Sequence, residues 1–231
     1  MTRPAGVPEK VTAYRERYRK SEIPEGYRGS RHLAFTTAVC LIVFVVAVAG
    51  LEAVTPAEWL TVPLTFLYAN LVEYIGHRGP MHHRTRRLEL LFERHTGQHH
   101  RFFTADAMAL DDPRDYRAVL FPAVMIVFFV GGFAVPAGLL LAWAFSPNVA
   151  WLFVATAVIY FLNYELLHFA YHAPEGSWVG RVPGVEQLGR LHRAHHDPAL
   201  MQRRNFNVTY PICDALFGTL HRAGQADQSP R

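Results

Sequence analysis

The chain has 231 residues, 51% of them hydrophobic and 18% charged, with a formal net charge of +4 and a pI near 9.2. Lys and Arg are absent from residues 33–76 and again from 118–167, whereas a soluble helical domain spreads basic residues along every amphipathic helix. The pattern excludes an ordinary soluble bundle, and the positive charge needs no nucleic-acid partner to explain it.

Taken in chain order, KVTAYRERYRK at 10–20 places Val11, Tyr14 and Tyr18 on one side of a helix among basic residues. A helix lying on anionic headgroups and a disordered basic tail are both open readings. No hydrophobic run precedes Leu33, so no cleavable signal sequence is expected. About 20 apolar residues at 1.5 Å rise each cross a hydrocarbon core of about 30 Å. Residues 33–50 and 59–75 each fit one span, joined by LEAVTPAE. Residues 151–167 read as a final span. Residues 118–145 are too many for one straight crossing and too few for two, and Gly131, Gly132, Pro136 and Gly138 point to a kinked span whose far end bends along the interface or re-enters.

All 23 Lys and Arg fall in residues 1–32, 77–117 and 168–231, in the numbers eight, eight and seven. An even number of spans puts these segments on one face, which the positive-inside rule makes cytoplasmic. The expected fold is an all-α integral membrane bundle of about four transmembrane helices in two hairpins, with both termini inside and a cytoplasmic helical cap. Its divisions are a basic segment at 1–32, a membrane domain at 33–221 and a disordered tail at 222–231. Cys40 in the first span and Cys213 in the cytoplasmic segment are not expected to pair. Arg outnumbers Lys by 21 to 2, which favours a GC-rich bacterium. The location is then a bacterial inner membrane, or the endoplasmic reticulum if the source is eukaryotic.

The chemistry lies in the histidines, all 13 of them on the basic side and 11 in short windows. HRGPMHH (77–83) and HTGQHH (95–100) follow the second span, HFAYH (168–172) ends the last one, and HRAHH (192–196) comes after it. On a helix, residues four apart share a face with Cβ atoms about 5–6 Å apart, close enough for two imidazoles to bind one ion. His95 with His99, His168 with His172 and His192 with His196 have that spacing, and His195 adds a neighbour. His77 and His82 are five apart across Gly79 and Pro80, so this pair needs a bend, an end-of-helix turn or a second ion. Ten histidines read as metal ligands: His77, His82, His95, His99, His100, His168, His172, His192, His195 and His196. His83 is either an eleventh ligand or a neighbour supporting His82, while His32 and His221 read as interfacial polar residues.

Ten imidazoles exceed one structural zinc site, and the zinc protease signature H-E-x-x-H is absent. Bis-histidine haem ligation uses two histidines per haem and does not account for ten. Two ions with about five nitrogens each keep an open position apiece, which on nitrogen-ligated iron is where dioxygen is bound and activated. Glu73 and Glu165, near the cytoplasmic ends of spans, are expected to face the interior and accept hydrogen bonds from ligand imidazoles. A membrane metal-transport protein is the reading from another class, but the middles of the spans carry no histidine to line a path.

EYIGHRGPMHH (73–83), HTGQHH, HFAYH, HRAHH and the downstream NFNVTYPICDALFGTL (205–220) resemble the fatty acid hydroxylase and sterol desaturase superfamily of membrane di-iron oxygenases. The likeness covers about residues 70–220, with Ile212-Cys213 standing where many members have an aromatic residue before the Asp. It implies two iron ions held by the ten histidines, with zinc possible in a purified form, and dioxygen as co-substrate. Asn205 and Asp214 then join His83, Glu73 and Glu165 as supporting residues or additional ligands. The implied reaction is hydroxylation of a C–H bond in a fatty acyl, sterol or carotenoid-type lipid. Desaturation at the same centre is the alternative, and an inactive metallated relative a further one. The chain has no fused b-type cytochrome, Cys cluster or nucleotide loop, so a separate electron donor, a b-type cytochrome or a ferredoxin with its reductase, is expected.

Overall fold

The computed structural model describes residues 7–174 and 176–222, and the tail expected at 222–231 lies, apart from Arg222, outside the described residues. Among the described residues the structure is helical, and the only bridge is the isolated contact of Thr104 with Ala107. Helix α1 spans Glu9–Ser21 and α2 spans Gly29–Ala49; α3, Thr61–Gly76, is led in by a 3-10 turn at Glu58–Leu60. Three helical segments are long and apolar enough to cross a membrane: Gly29–Ala49, Pro113–Ala144 and Pro147–Tyr171. At 16 residues, α3 is not among them, though a π turn at His77–Met81 continues it.

The awkward stretch 118–145 resolves into one interrupted rod. Helix α6 (Tyr116–Val119) ends at an extended Leu120, two residues before Pro122, which itself disfavours helical backbone at Phe121. Helix α7 (Val124–Phe129) then runs through a π segment at Val130–Ala134, which contains Gly131 and Gly132, into α8 (Val135–Ala144). The kink expected from the glycines is this π segment. The far end packs along its successor, with Ala137 and Leu141 against Phe153 and Val154. That successor is α9, Pro147–Tyr171, started by Ser146, whose hydroxyl accepts from Val149 N, with Pro147 in the first turn.

Helix α9 is the central post, with α2, α3 and α8 packed around it. Cys40, Ile126, Val158 and Leu162 form one apolar layer, and Ala47, Phe153, Val154 and Ala155 the next. Gly50 lets α2 end against α9, since a Cβ there would lie 2.5 Å from the Trp151 ring. The end of the bundle away from the histidines is closed by polar contacts: Ser146 Oγ donates to Glu58 Oε1 at 2.5 Å, and Asn148 exchanges hydrogen bonds with the Glu52 backbone at 2.7 and 3.0 Å. From Pro147 to His168 the rise is about 31 Å, one hydrocarbon thickness.

The histidine end carries α4 (Glu89–Phe92), a π segment at Glu93–His99, α5 (His100–Phe102), α10 (Val185–His195) and α11 (Ile212–Leu216). The apolar face of α1, open between lying on headgroups and belonging to a disordered tail, is helical and packs on protein: Val11, Arg15 and Tyr18 are buried, and Tyr18 meets Phe102 edge-on at 5.3 Å. The residue between them in spacing, Arg15, is 1% exposed.

Candidate metal centre

The ten histidines converge from four backbone segments, and all ten are buried. His77, His82, His95, His100 and His195 bring one ring nitrogen each within 4.8 Å of one another, as do His99, His172, His192 and His196. His168 completes the second set from α9, its Nε2 3.2 Å from that of His99. The sets adjoin, with the rings of His100 and His196 stacked at 4.3 Å.

Pairing within the sets departs from the four-residue rule. His95 and His99 fall in different sets, while His95 and His100, five apart, share one with Nε2 atoms 3.0 Å apart. His77 and His82, also five apart, share it too. In a π turn each amide bonds back five residues instead of four, and each pair starts within a π turn and ends on the residue that caps it: His77–Met81 with His82, and Glu93–His99 with His100. On α10, an ordinary helix, the four-residue rule holds for His192 and His196, and His195 turns to the other set, 2.9 Å from His82.

Backbone carbonyls fix the tautomers. The Nδ1–H of His77 donates to Phe206 O, that of His99 to Ala118 O at 2.8 Å, and those of His172, His195 and His196 to Met108 O, Arg204 O and Phe103 O at 2.9 Å each. Thr96 spends its hydroxyl proton on Met81 O at 2.7 Å, so its oxygen accepts from His82 Nδ1 at 3.3 Å. A carbonyl only accepts, so in each of these neutral rings Nε2 carries a bare lone pair. Two pairs then set lone pair against lone pair: His82 with His195 at 2.9 Å, and His99 with His196 at 3.2 Å. Burial pushes the pKa of His99 and of His195 down to about 4, so a proton is disfavoured as the bridge. A cation between the rings removes the conflict. Nitrogens about 2.1 Å from one ion lie about 3.0 Å apart when at right angles and about 3.4 Å apart when tetrahedral; the closest Nε2 pairs here, at 2.8 to 3.2 Å, fit the right-angled arrangement. The residues present therefore fit two ions with nitrogen ligands at neighbouring right-angled positions.

The expected supporting residues act differently. Neither carboxylate takes a hydrogen bond from an imidazole. Glu73 accepts from the amides of Val208 and Thr209 and from the hydroxyls of Tyr160 and Thr209, the latter two at 2.6 Å, tying α3 to the 205–210 turn. Glu165 accepts from Phe121 N at 3.4 Å, and its other oxygen has no partner. His83 is exposed and donates back to Arg78 O, outside both sets. Asn205 and Asp214 contribute no ligand atom; Asp214 accepts from Phe206 N and Asn207 N at 2.9 and 2.7 Å, and Asn205 holds Leu191 O and His221 O. His32 is buried against Tyr27, 2.7 Å from its hydroxyl, and His221 lies away from the sets. Sequence reasoning missed Thr96 and Arg15, of which only Arg15 leaves a signal, the four- and three-residue steps that put it in line with Val11 and Tyr18.

An apolar cavity of about 410 Å³ opens below the first set, between α3, α7 and α9. His77 and Met81 stand at its mouth, and Phe133 and Phe153 at its far end. A smaller cavity, about 40 Å³, shares Met81, Phe121 and Tyr164 with it and reaches His95, His99 and His168. An apolar slot thus ends on both sets of histidines.

Fold and site together define a histidine-rich helical protein with membrane-length helices and room for two metal ions. The model of the fatty acid hydroxylase family matches residues 62–219, and the chain belongs to that family, which implies an oxidoreductase. No curated protein and no solved structure matches it.

Proposed function

We propose that the chain is a di-iron lipid hydroxylase of the membrane, in which the slot holds the hydrocarbon and the ten histidines hold two irons. The carrying observation is the facing of bare Nε2 lone pairs in both sets. Family members usually depend on iron, and imidazole-rich, right-angled coordination with open positions suits it. The first ion would be held by His77, His82, His95, His100 and His195, the second by His99, His168, His172, His192 and His196. When bound, the pair supplies the activation of dioxygen.

The chain's own part is binding and exclusion. Apolar walls from Val72, Phe129 and Phe161 admit hydrocarbon and exclude water. Tyr68, Val72 and Phe128, also on the slot, are exposed on the outer surface, so a lipid has a lateral route in from the bilayer. The outward stripe Leu60, Leu64, Leu67 and Ile75 suits α3 to lipid and makes it the fourth crossing, continued at one end by its π turn. All basic segments and the histidines then face the cytoplasm. The balanced reaction takes the lipid C–H, dioxygen, two electrons and two protons to the alcohol and water. A separate electron-transfer protein delivers the electrons from the aqueous side.

The test is twofold. Purified protein should contain two irons per chain, and lipid extracts of expressing cells should show a species gaining one oxygen; a gain of products lacking two hydrogens assigns desaturation instead. Iron-loaded protein that leaves every extract unchanged under reductant and dioxygen removes the reading.

A further inference from the structure

We propose that Arg15, outside the family-matched residues and every histidine window, is a positioning residue for one metal pocket only. The proposal rests on the two-metal reading above. Residues 103–111 carry no regular element beyond one bridge and a turn, so their carbonyls need partners from elsewhere. Arg15 supplies them: Nε donates to Phe102 O at 2.9 Å, Nη2 to Ala107 O at 2.6 Å, and Nη1 to Ala109 O at 3.1 Å and to Asp111 at 2.5 Å. Its guanidinium also lies 4.9 Å from the Phe102 ring centre and 5.4 Å from that of Phe103.

The loop so held orients only the second set. Phe103 O accepts from His196, Met108 O accepts from His172, and Leu110 N donates to the His172 carbonyl at 2.8 Å. The Phe103 ring lies 4.1 Å from the His172 ring and 5.3 Å from that of His99. The first set takes its orientation elsewhere, from Phe206 O and Arg204 O in the turn that Asp214 holds and from Thr96. Among the described hydrogen bonds no carbonyl serves both sets. Each pocket therefore has its own backbone scaffold with its own pin.

Loss of a residue that orients a ligand typically weakens metal binding 10- to 100-fold. Arg15→Met keeps the length of the stem and removes every donor; Arg15→Lys keeps the charge and loses the fork. Metal per chain, read by elemental analysis of protein in nanodiscs, should fall from two to one in Arg15→Met. Paired with His172→Ala, the variant should still hold one ion; paired with His195→Ala, it should hold none. Retention of two ions by Arg15→Met overturns the proposal, as does the opposite pattern in the pairs. Should Arg15→Met aggregate, Arg15→Lys carries the test: selective weakening of one ion on titration with a chelator supports the pin, and equal weakening of both refutes it. Wild-type protein without two ions refutes the two-metal reading instead, a separate result.

Discussion

Ala157 lies on the wall of the slot, facing α3 and α7. Along α9 its mouth at Tyr164 and its floor at Phe153 are eleven residues apart, or about 16 Å at 1.5 Å per residue. An extended alkyl chain advances about 1.25 Å per carbon, for bonds of about 1.5 Å at the tetrahedral angle, so roughly 13 carbons fit below the mouth. Ala157 is seven residues below Tyr164, about 10 Å or roughly 8 carbons. A phenyl ring in Ala157→Phe therefore closes the last ~5 carbons of room. At about 0.8 kcal/mol per buried methylene, a long chain loses up to ~4 kcal/mol, of the order of a thousandfold in affinity. A chain of eight carbons or fewer below the reacting carbon loses little. The assay is mass spectrometry of oxidised lipids from cells expressing either protein, with metal content confirming that the variant retains its centre. An unchanged chain-length profile at an unchanged rate would refute the slot as the substrate site.

Thr96→Val removes the acceptor that holds His82 Nδ1, and a 10- to 100-fold rise in the dissociation constant of one ion is expected, read by chelator competition; unaltered affinity contradicts the tautomer assignment. Acid should destabilise the metal-free protein: burial holds His99 and His195 near 4, below the ordinary 6.5 that they regain on unfolding. The unfolded chain then binds more protons, so stability is full above about 6.5 and is lost as pH falls toward 4, by roughly 3 kcal/mol per group. Thermal melts that stay level from pH 7 to 4.5 would contradict this.

Which histidines come together was open to sequence reasoning because imidazole is scarce elsewhere and the windows sit at one end of apolar runs. Their division into two sets was not, because a helix read at 3.6 residues per turn pairs His95 with His99. The π turns change that pairing, and nothing in HTGQHH distinguishes five-residue from four-residue winding. Span positions were legible for the same reason as the histidine windows: α2 and α9 each contain an uninterrupted apolar run, and the Gly131-Gly132 pair gave away the π segment before α8, whereas the break at Leu120 was not foreseen.

The groups that orient the rings were hidden for a different reason. Glu73 and Glu165 were the natural acceptors for imidazole protons, being carboxylates one helical turn before His77 and His168, yet the acceptors are main-chain carbonyls of Phe103, Met108, Ala118, Arg204 and Phe206. Every residue carries a carbonyl, so sequence cannot single one out; only the path of the loops does. A carbonyl also has no protonation state to change and leaves no net charge beside the imidazoles. A carboxylate at the same place would add a negative charge, and it would accept a proton as the pH fell. Neutral carbonyls instead hold His77, His99, His172, His195 and His196 each in one tautomer whatever the pH, and Glu73 and Glu165 are left to tie α3 and α9 to the turns that carry some of those carbonyls.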